Sequence, residues 1–243
     1  MAERRFTTGE LRVEEDTGGK TMVGHASVFE RWTTLYEGRY WRWREKINAG
    51  AFTRAIEKKQ DVRALFNHDP NFVLGRTTSG TLEIQQDKTG LLTRTKLPRT
   101  QTVRDLVETP IDRGDITGMS FAFDLPKDGK LTHTKNDDGS EVIETPYERS
   151  TLRYEGEMLC EDREILSCDL YDVSAVTYPA YEQTDVALRS VPDLRALIAE
   201  KDRPHRRPAP RREALRQWLE GSAIVATLAH ANQLGHAGRK EVP

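Results

Sequence analysis

The sequence predicts an α+β fold: a mainly antiparallel β core with peripheral helices, followed by a helical C-terminal tail. Three observations carry this. Short runs of alternating apolar and polar residues recur between residues 11 and 178, turn-forming clusters separate them, and after Arg189 the apolar residues take up helical spacing. With 243 residues, 36% hydrophobic and 31% charged, the chain supports one main domain with polar additions, not two full cores.

Taken in order, residues 11–15 and 21–29 alternate around Gly18-Gly19, the pattern of a β-hairpin. Residues 32–44 hold three of the four tryptophans (Trp32, Trp41, Trp43) among arginines, and they predict a loop. Asn48 is placed to cap a short helix with Phe52, Ala55 and Ile56 on one face. A strand over 62–66 runs into Asn67-His68-Asp69-Pro70, whose side chains each favour a turn. A second hairpin joins 82–86 to 91–97 through Asp87-Lys88-Thr89-Gly90.

Residues 102–107 read as a helix that Pro110 breaks or bends, and a strand follows over 116–125. The polar stretch 126–149 predicts a loop. Strands over 152–160 and 163–178 close the domain, and Pro179 ends the last one. Helical spacing then covers 191–201 and 214–231. Between them, residues 203–212 carry five arginines and three prolines, the composition of an extended linker. The expected division is a domain over 1–189 and a linker with helical tail over 190–243, whose apolar faces require each other, a second copy or a partner.

The formal net charge of -2 gives no general attraction to phosphate, so nucleic acid is not the expected partner. Residues 1–16 are charged almost throughout and carry no apolar run of signal-peptide or membrane-spanning length, so no membrane is expected and the protein should stay where it is made. Cys160 and Cys168 form no Cys-x-x-Cys pair and read as reduced fillers, and no histidine pair has metal-ligand spacing. No cofactor or metal is expected.

Chemistry concentrates in three places. In Gly118-Met119-Ser120-Phe121-Ala122-Phe123, alternation puts Met119, Phe121 and Phe123 towards the core and Ser120 among small neighbours, leaving room for a substrate backbone beside the hydroxyl. His68 follows a strand in a turn, where an imidazole can be aimed, and its ordinary titration range suits proton exchange with a hydroxyl. Asp172 sits within a strand that otherwise reads as buried and needs a donor such as a histidine Nδ1–H. Glu164 and Asp169 are rival acids on the same stretch.

Five blocks occur in order: Gly24-His25-Ala26-Ser27-Val28-Phe29; Gly50-Ala51-Phe52; Asn67-His68-Asp69 with Leu74-Gly75-Arg76; Ile116 to Phe123 around Met119-Ser120-Phe121; and Asp172-Val173-Ser174 through Tyr178-Pro179-Ala180-Tyr181. Together, over residues 10–188, they resemble the prohead (capsid maturation) serine proteases of tailed phages. The resemblance implies a herpesvirus-protease-like β-barrel with surrounding helices. It also implies a serine endopeptidase that acts inside the assembling prohead, in the bacterial host cytoplasm, on the major capsid protein and its scaffold-like segment. Self-association and self-cleavage are compatible with it. Carried onto this chain, His68 is the histidine, Ser120 the nucleophile and Asp172 the acid; the family usually has glutamate there, one methylene longer. Two other readings are an inactive barrel serving capsid assembly and a peptide-binding module using the tryptophan segment as its platform.

Overall fold

The computed structural model describes residues 2–8, 10–178 and 194–204, and strands dominate them. In chain order these are β1 (Glu3–Thr8), β2 (Arg12–Asp16), β3 (Gly19–Val28), β4 (Thr33–Glu37), β5 (Trp41–Ile47), β6 (Arg63–Phe66), β7 (Asp69–Arg76), β8 (Leu82–Gln86), β9 (Gly90–Lys96), β10 (Gly118–Asp124), β11 (Thr132–Lys135), β12 (Glu141–Glu144), β13 (Glu148–Glu155), β14 (Met158–Ile165) and β15 (Asp169–Val176). They form three sheets, ordered β1-β10-β15-β6-β7, β11-β12-β13-β14-β5-β4 and β2-β3-β9-β8.

No sheet closes on itself among the described residues, so the expected barrel is replaced by open sheets. Closure needs the two edge strands to pair, and β1 pairs with β10 while β7 pairs with β6. The mainly antiparallel reading stands: the parallel pairs are β14 with β5 and β15 with β6.

Both hairpins of the sequence reading are present, as β2/β3 and β8/β9. Other expectations need correction. Residues 32–44 are no loop, because β4 and β5 pair antiparallel there. On β5, Trp41, Trp43, Glu45 and Ile47 face inwards while Arg42, Arg44 and Lys46 face outwards. Trp41 and Trp43 stack in the interior at 5.8 Å, so they are no peptide platform; only Trp32 among these three is open, at 38%.

Asn48 does not cap the helix Thr53–Glu57, which lacks a side-chain cap; its amide donates to Glu164 instead. Pro110 does not break the helical run over 101–112. The five residues Arg104–Glu108 adopt a π turn, whose wider ring relieves the crowding proline causes in an α turn. The stretch 126–149 contains the β11/β12 hairpin, and its low apolar content reflects an outer sheet edge, not a loop. The last two predicted strands are three, with Gly156 (φ +67°) turning β13 into β14 and residues 166–168 separating β14 from β15.

Met119, Phe121 and Phe123 of β10 point into the main core as expected, against Met22 and Ala26 of β3, Leu91 of β9 and Val173 and Ala175 of β15. A smaller core on the six-stranded sheet gathers Trp41, Trp43, Ile143, Leu152 and Leu159. The helix Leu194–Lys201 packs Leu197 and Ile198 against it. Lys201 Nζ meets Glu161 at 2.7 Å, and Asp202 accepts from the Tyr36 hydroxyl at 2.8 Å. Leu197 and Ile198 of this helix are therefore covered by this chain's own sheet. The second, at 214–231, lies outside the described residues.

Between the two larger sheets lies a buried ion cluster: Glu3 and Arg5 of β1, Glu45 of β5, Glu148 of β13 and Arg163 of β14. Arg163 meets Glu148 at 2.6 Å, Glu3 at 2.8 Å and Glu45 at 3.1 Å, and Arg5 reaches both Glu3 and Glu45. Burial works to raise the Glu3 carboxyl pKa, but Arg163 and Arg5 outweigh it and bring it down to about 2. At Glu148 burial wins over Arg163 and holds the carboxyl above its ordinary value, as befits the third acid beside two guanidiniums. The cluster fixes β1, and β1 lies directly against the strand bearing Ser120.

Candidate active site

The turn Asn67-His68 is a two-residue hairpin loop. Phe66 pairs with Asp69 across it, and both loop residues have positive φ, +54° for Asn67 and +57° for His68, the arrangement of a type I′ turn. A histidine in this region costs about 1 kcal/mol or more. Asn67 helps hold the turn: its side-chain Oδ1 accepts from Thr177 N–H at 2.9 Å, its Nδ2 donates to Thr177 Oγ1 at 3.0 Å, and its backbone N–H donates to Ala175 O at 2.9 Å. The turn is thus tied to the far end of β15.

That anchoring aims the His68 ring across the sheet. β15 lies between β6 and β10, with Ser174 directly opposite Ser120 and Asp172 opposite Ala122. In a strand, residues two apart share a face, so Asp172, Ser174 and Ser120 all present side chains where the imidazole arrives. His68 Nε2 lies 2.6 Å from Ser120 Oγ and His68 Nδ1 lies 2.6 Å from Asp172 Oδ1. The three residues singled out from the sequence form one hydrogen-bonded row. Side-chain exposure is 7% for His68 and 12% for Asp172, so little water screens the pair.

The rival acids are engaged elsewhere. Asp169 accepts from Arg54 Nε at 2.9 Å and from Gln60, while Glu164 is 3.1 Å from Lys46 and 3.2 Å from Asn48.

Two neighbours were missed by the sequence reading. Ser174 Oγ lies 2.9 Å from Asp172 Oδ1 and 3.3 Å from both His68 N and His68 Nδ1. Arg5 contributes its backbone carbonyl, 2.9 Å from Ser120 Oγ. The Ser120 hydroxyl has one proton and two acceptors within reach, so proton transfer to His68 competes with a resting bond to β1. Position in a strand two residues from Asp172 was a usable signal for Ser174; nothing local marked Arg5.

The open space expected beside Ser120 is absent. Ser120 is 4% exposed, and the Phe6 ring lies over Gly118, within 2.1 Å of where a Cβ would stand. Cys160 and Cys168 are free and buried, and burial pushes the Cys168 thiol well above its ordinary range. Among the described residues, no three His, Cys, Asp or Glu side chains gather as metal ligands would, and no helix is long and apolar enough to cross a membrane.

The model of the caudovirus prohead serine protease family matches residues 8–195 of this chain. The chain belongs to that family. The matched span contains His68, Ser120 and Asp172 and excludes most of β1. Searches of curated proteins and of solved structures gave no match. Membership makes the chain a prohead protease of the serine type and its context the maturing phage capsid. Asp172, with its short side chain, reaches the His68 imidazole at 2.6 Å.

Proposed function

We propose that this chain is a serine endopeptidase that cuts the major capsid protein and its scaffold-like segment inside the assembling prohead, in the bacterial host cytoplasm. Ser120 is the nucleophile, His68 the general base and acid, and Asp172 the group that orients His68. The observation carrying this reading is the row Ser120–His68–Asp172 with both links at 2.6 Å.

In the first step His68 Nε2 takes the hydroxyl proton as Ser120 Oγ bonds to the scissile carbonyl carbon. Asp172 accepts from Nδ1–H, which keeps Nε2 free as the base and then stabilises the imidazolium. His68 returns the proton to the departing amine nitrogen, leaving an ester on Ser120. Water then gives its proton to His68 and its oxygen to the acyl carbon, and the proton goes back to Ser120. Nucleophile, base and carboxylate all come from the chain itself.

Within the segment 190–243, recruitment into the shell falls to the part that follows the helix Leu194–Lys201, because that helix packs on the chain's own sheet. The composition of residues 203–212 supports an extended linker that self-cleavage could cut. The test of the catalytic reading is coexpression with the capsid protein of the same phage, with product masses read out. Ser120→Ala should abolish every cut while leaving the melting temperature within a few degrees. Cleavage persisting at the wild-type rate would remove Ser120 from the role.

A further inference from the structure

Ser174 is fully buried, at 0% exposure, and stands directly across from Ser120 on the neighbouring strand. Its single hydroxyl proton has two acceptors near it, Asp172 Oδ1 at 2.9 Å and His68 Nδ1 at 3.3 Å. In the tautomer that leaves His68 Nε2 free to accept from Ser120, Nδ1 carries its own proton and cannot accept. The Ser174 proton therefore belongs to Asp172. The Ser174 oxygen in turn accepts the backbone N–H of His68 at 3.3 Å.

We infer that Ser174 is a positioning residue of this site, a hydroxyl bridge that locks the Asp172 carboxylate to the backbone of the very residue it orients. The inference rests on the triad reading given above. An aspartate on a strand can still rotate its carboxylate about the terminal torsion. Asp172 Oδ1 accepts from His68 Nδ1–H and from the Ser174 hydroxyl, so the serine is a contact that opposes this rotation independently of the imidazole. Ser174 Oγ also accepts from the left-handed His68 backbone N–H, which ties the base to the strand that carries the orienting acid. Donation from Ser174 also disperses the carboxylate charge, which keeps the proton on Nδ1 when the ring becomes an imidazolium.

The test uses the full chain and a fluorophosphonate, which needs no knowledge of the cleavage sequence. Ser120 Oγ bonds to phosphorus, the P–F bond breaks, fluoride leaves and the hydroxyl proton passes to His68. Ser174→Ala should lower the maximal labelling rate roughly 10- to 100-fold with half-saturation within about threefold of wild type. Ser174→Thr, which restores a hydroxyl on a β-branched strand residue, should recover most of that rate. The His68 Nδ1–H proton resonance should move in the alanine variant and return in the threonine variant. Labelling of Ser174→Ala at the wild-type rate, a loss expressed in half-saturation alone, or an unmoved resonance overturns the inference. Labelling that survives Ser120→Ala overturns the nucleophile assignment instead, so the two failures are separable.

Discussion

His68 and His25 each touch an aspartate, through different nitrogens and in different surroundings. His25 Nε2 meets Asp87 Oδ2 at 2.9 Å, with side-chain exposures of 19% and 36%. Asp87 also accepts from the backbone N–H groups of Thr89 and Gly90, so that pair staples the β8/β9 turn. His68 instead binds its acid through Nδ1 at 2.6 Å, keeps Nε2 on a serine hydroxyl, and sits in a left-handed backbone conformation with its side chain buried. A histidine–carboxylate contact is thus a common structural staple. What distinguishes the candidate base is the third partner, the burial and the strained turn that aims it.

The sharpest break of this contrast is His68→Ala, which should lower capsid-protein cleavage by at least about 10⁴-fold. Adding Ser120→Ala should reduce it little further, because the two groups act as one unit. Additive losses, measured on purified single and double variants, would count against a shared mechanism. Asp172→Asn comes next, with a loss of about 10³- to 10⁴-fold in kcat and little change in KM, since the amide favours the wrong tautomer. Wild-type turnover in that variant would reopen the case for Asp169 and Glu164.

The smallest effect belongs to His25→Ala, which should leave cleavage within about twofold. Its signature lies in stability against pH. Burial works to raise the Asp87 pKa, but hydrogen bonds from His25, Gly90 and Thr89 hold it below the ordinary value. A carboxyl depressed in the folded state contributes stability above its unfolded pKa of about 3.9 and loses it as pH falls through the lower folded value. Removing His25 should therefore trim stability above that window and narrow the gap from wild type as acid is added. An equal loss at pH 2 and pH 7 would count against the staple role of the pair.

Local sequence was enough for what depends on near neighbours. The β2/β3 and β8/β9 hairpins follow from alternation around Gly18-Gly19 and Asp87 to Gly90, and the core face of β10 from its period-2 pattern. The β5 strand was missed although burial alternates strictly from Trp41 to Ile47, because Glu45 falls on the buried side and interrupts the apolar pattern. Its partners Arg5 and Arg163 lie 40 and 118 residues away, and no local rule buries an acid without them. Which of Asp172, Asp169 and Glu164 lies against the His68 ring was equally out of reach. It depends on where the 67–68 turn is carried by the parallel pairing of β6 with β15, a non-local fact. The closed face beside Ser120 depends on β1, whose alternation does not announce which strand it covers.

The place of β15 between β6 and β10 also sets a timetable. His68 and Ser120 are 52 residues apart; His68 follows β6, Ser120 lies on β10, and these two strands meet only through a third. That third strand ends at Val176, so on the ribosome both residues emerge well before the strand that brings them together. Pairings over such separations are slow to form, parallel ones especially. A nascent chain therefore holds Ser120 and His68 apart until nearly the whole domain has been made, and on the proposed triad it gains its proton relay only then.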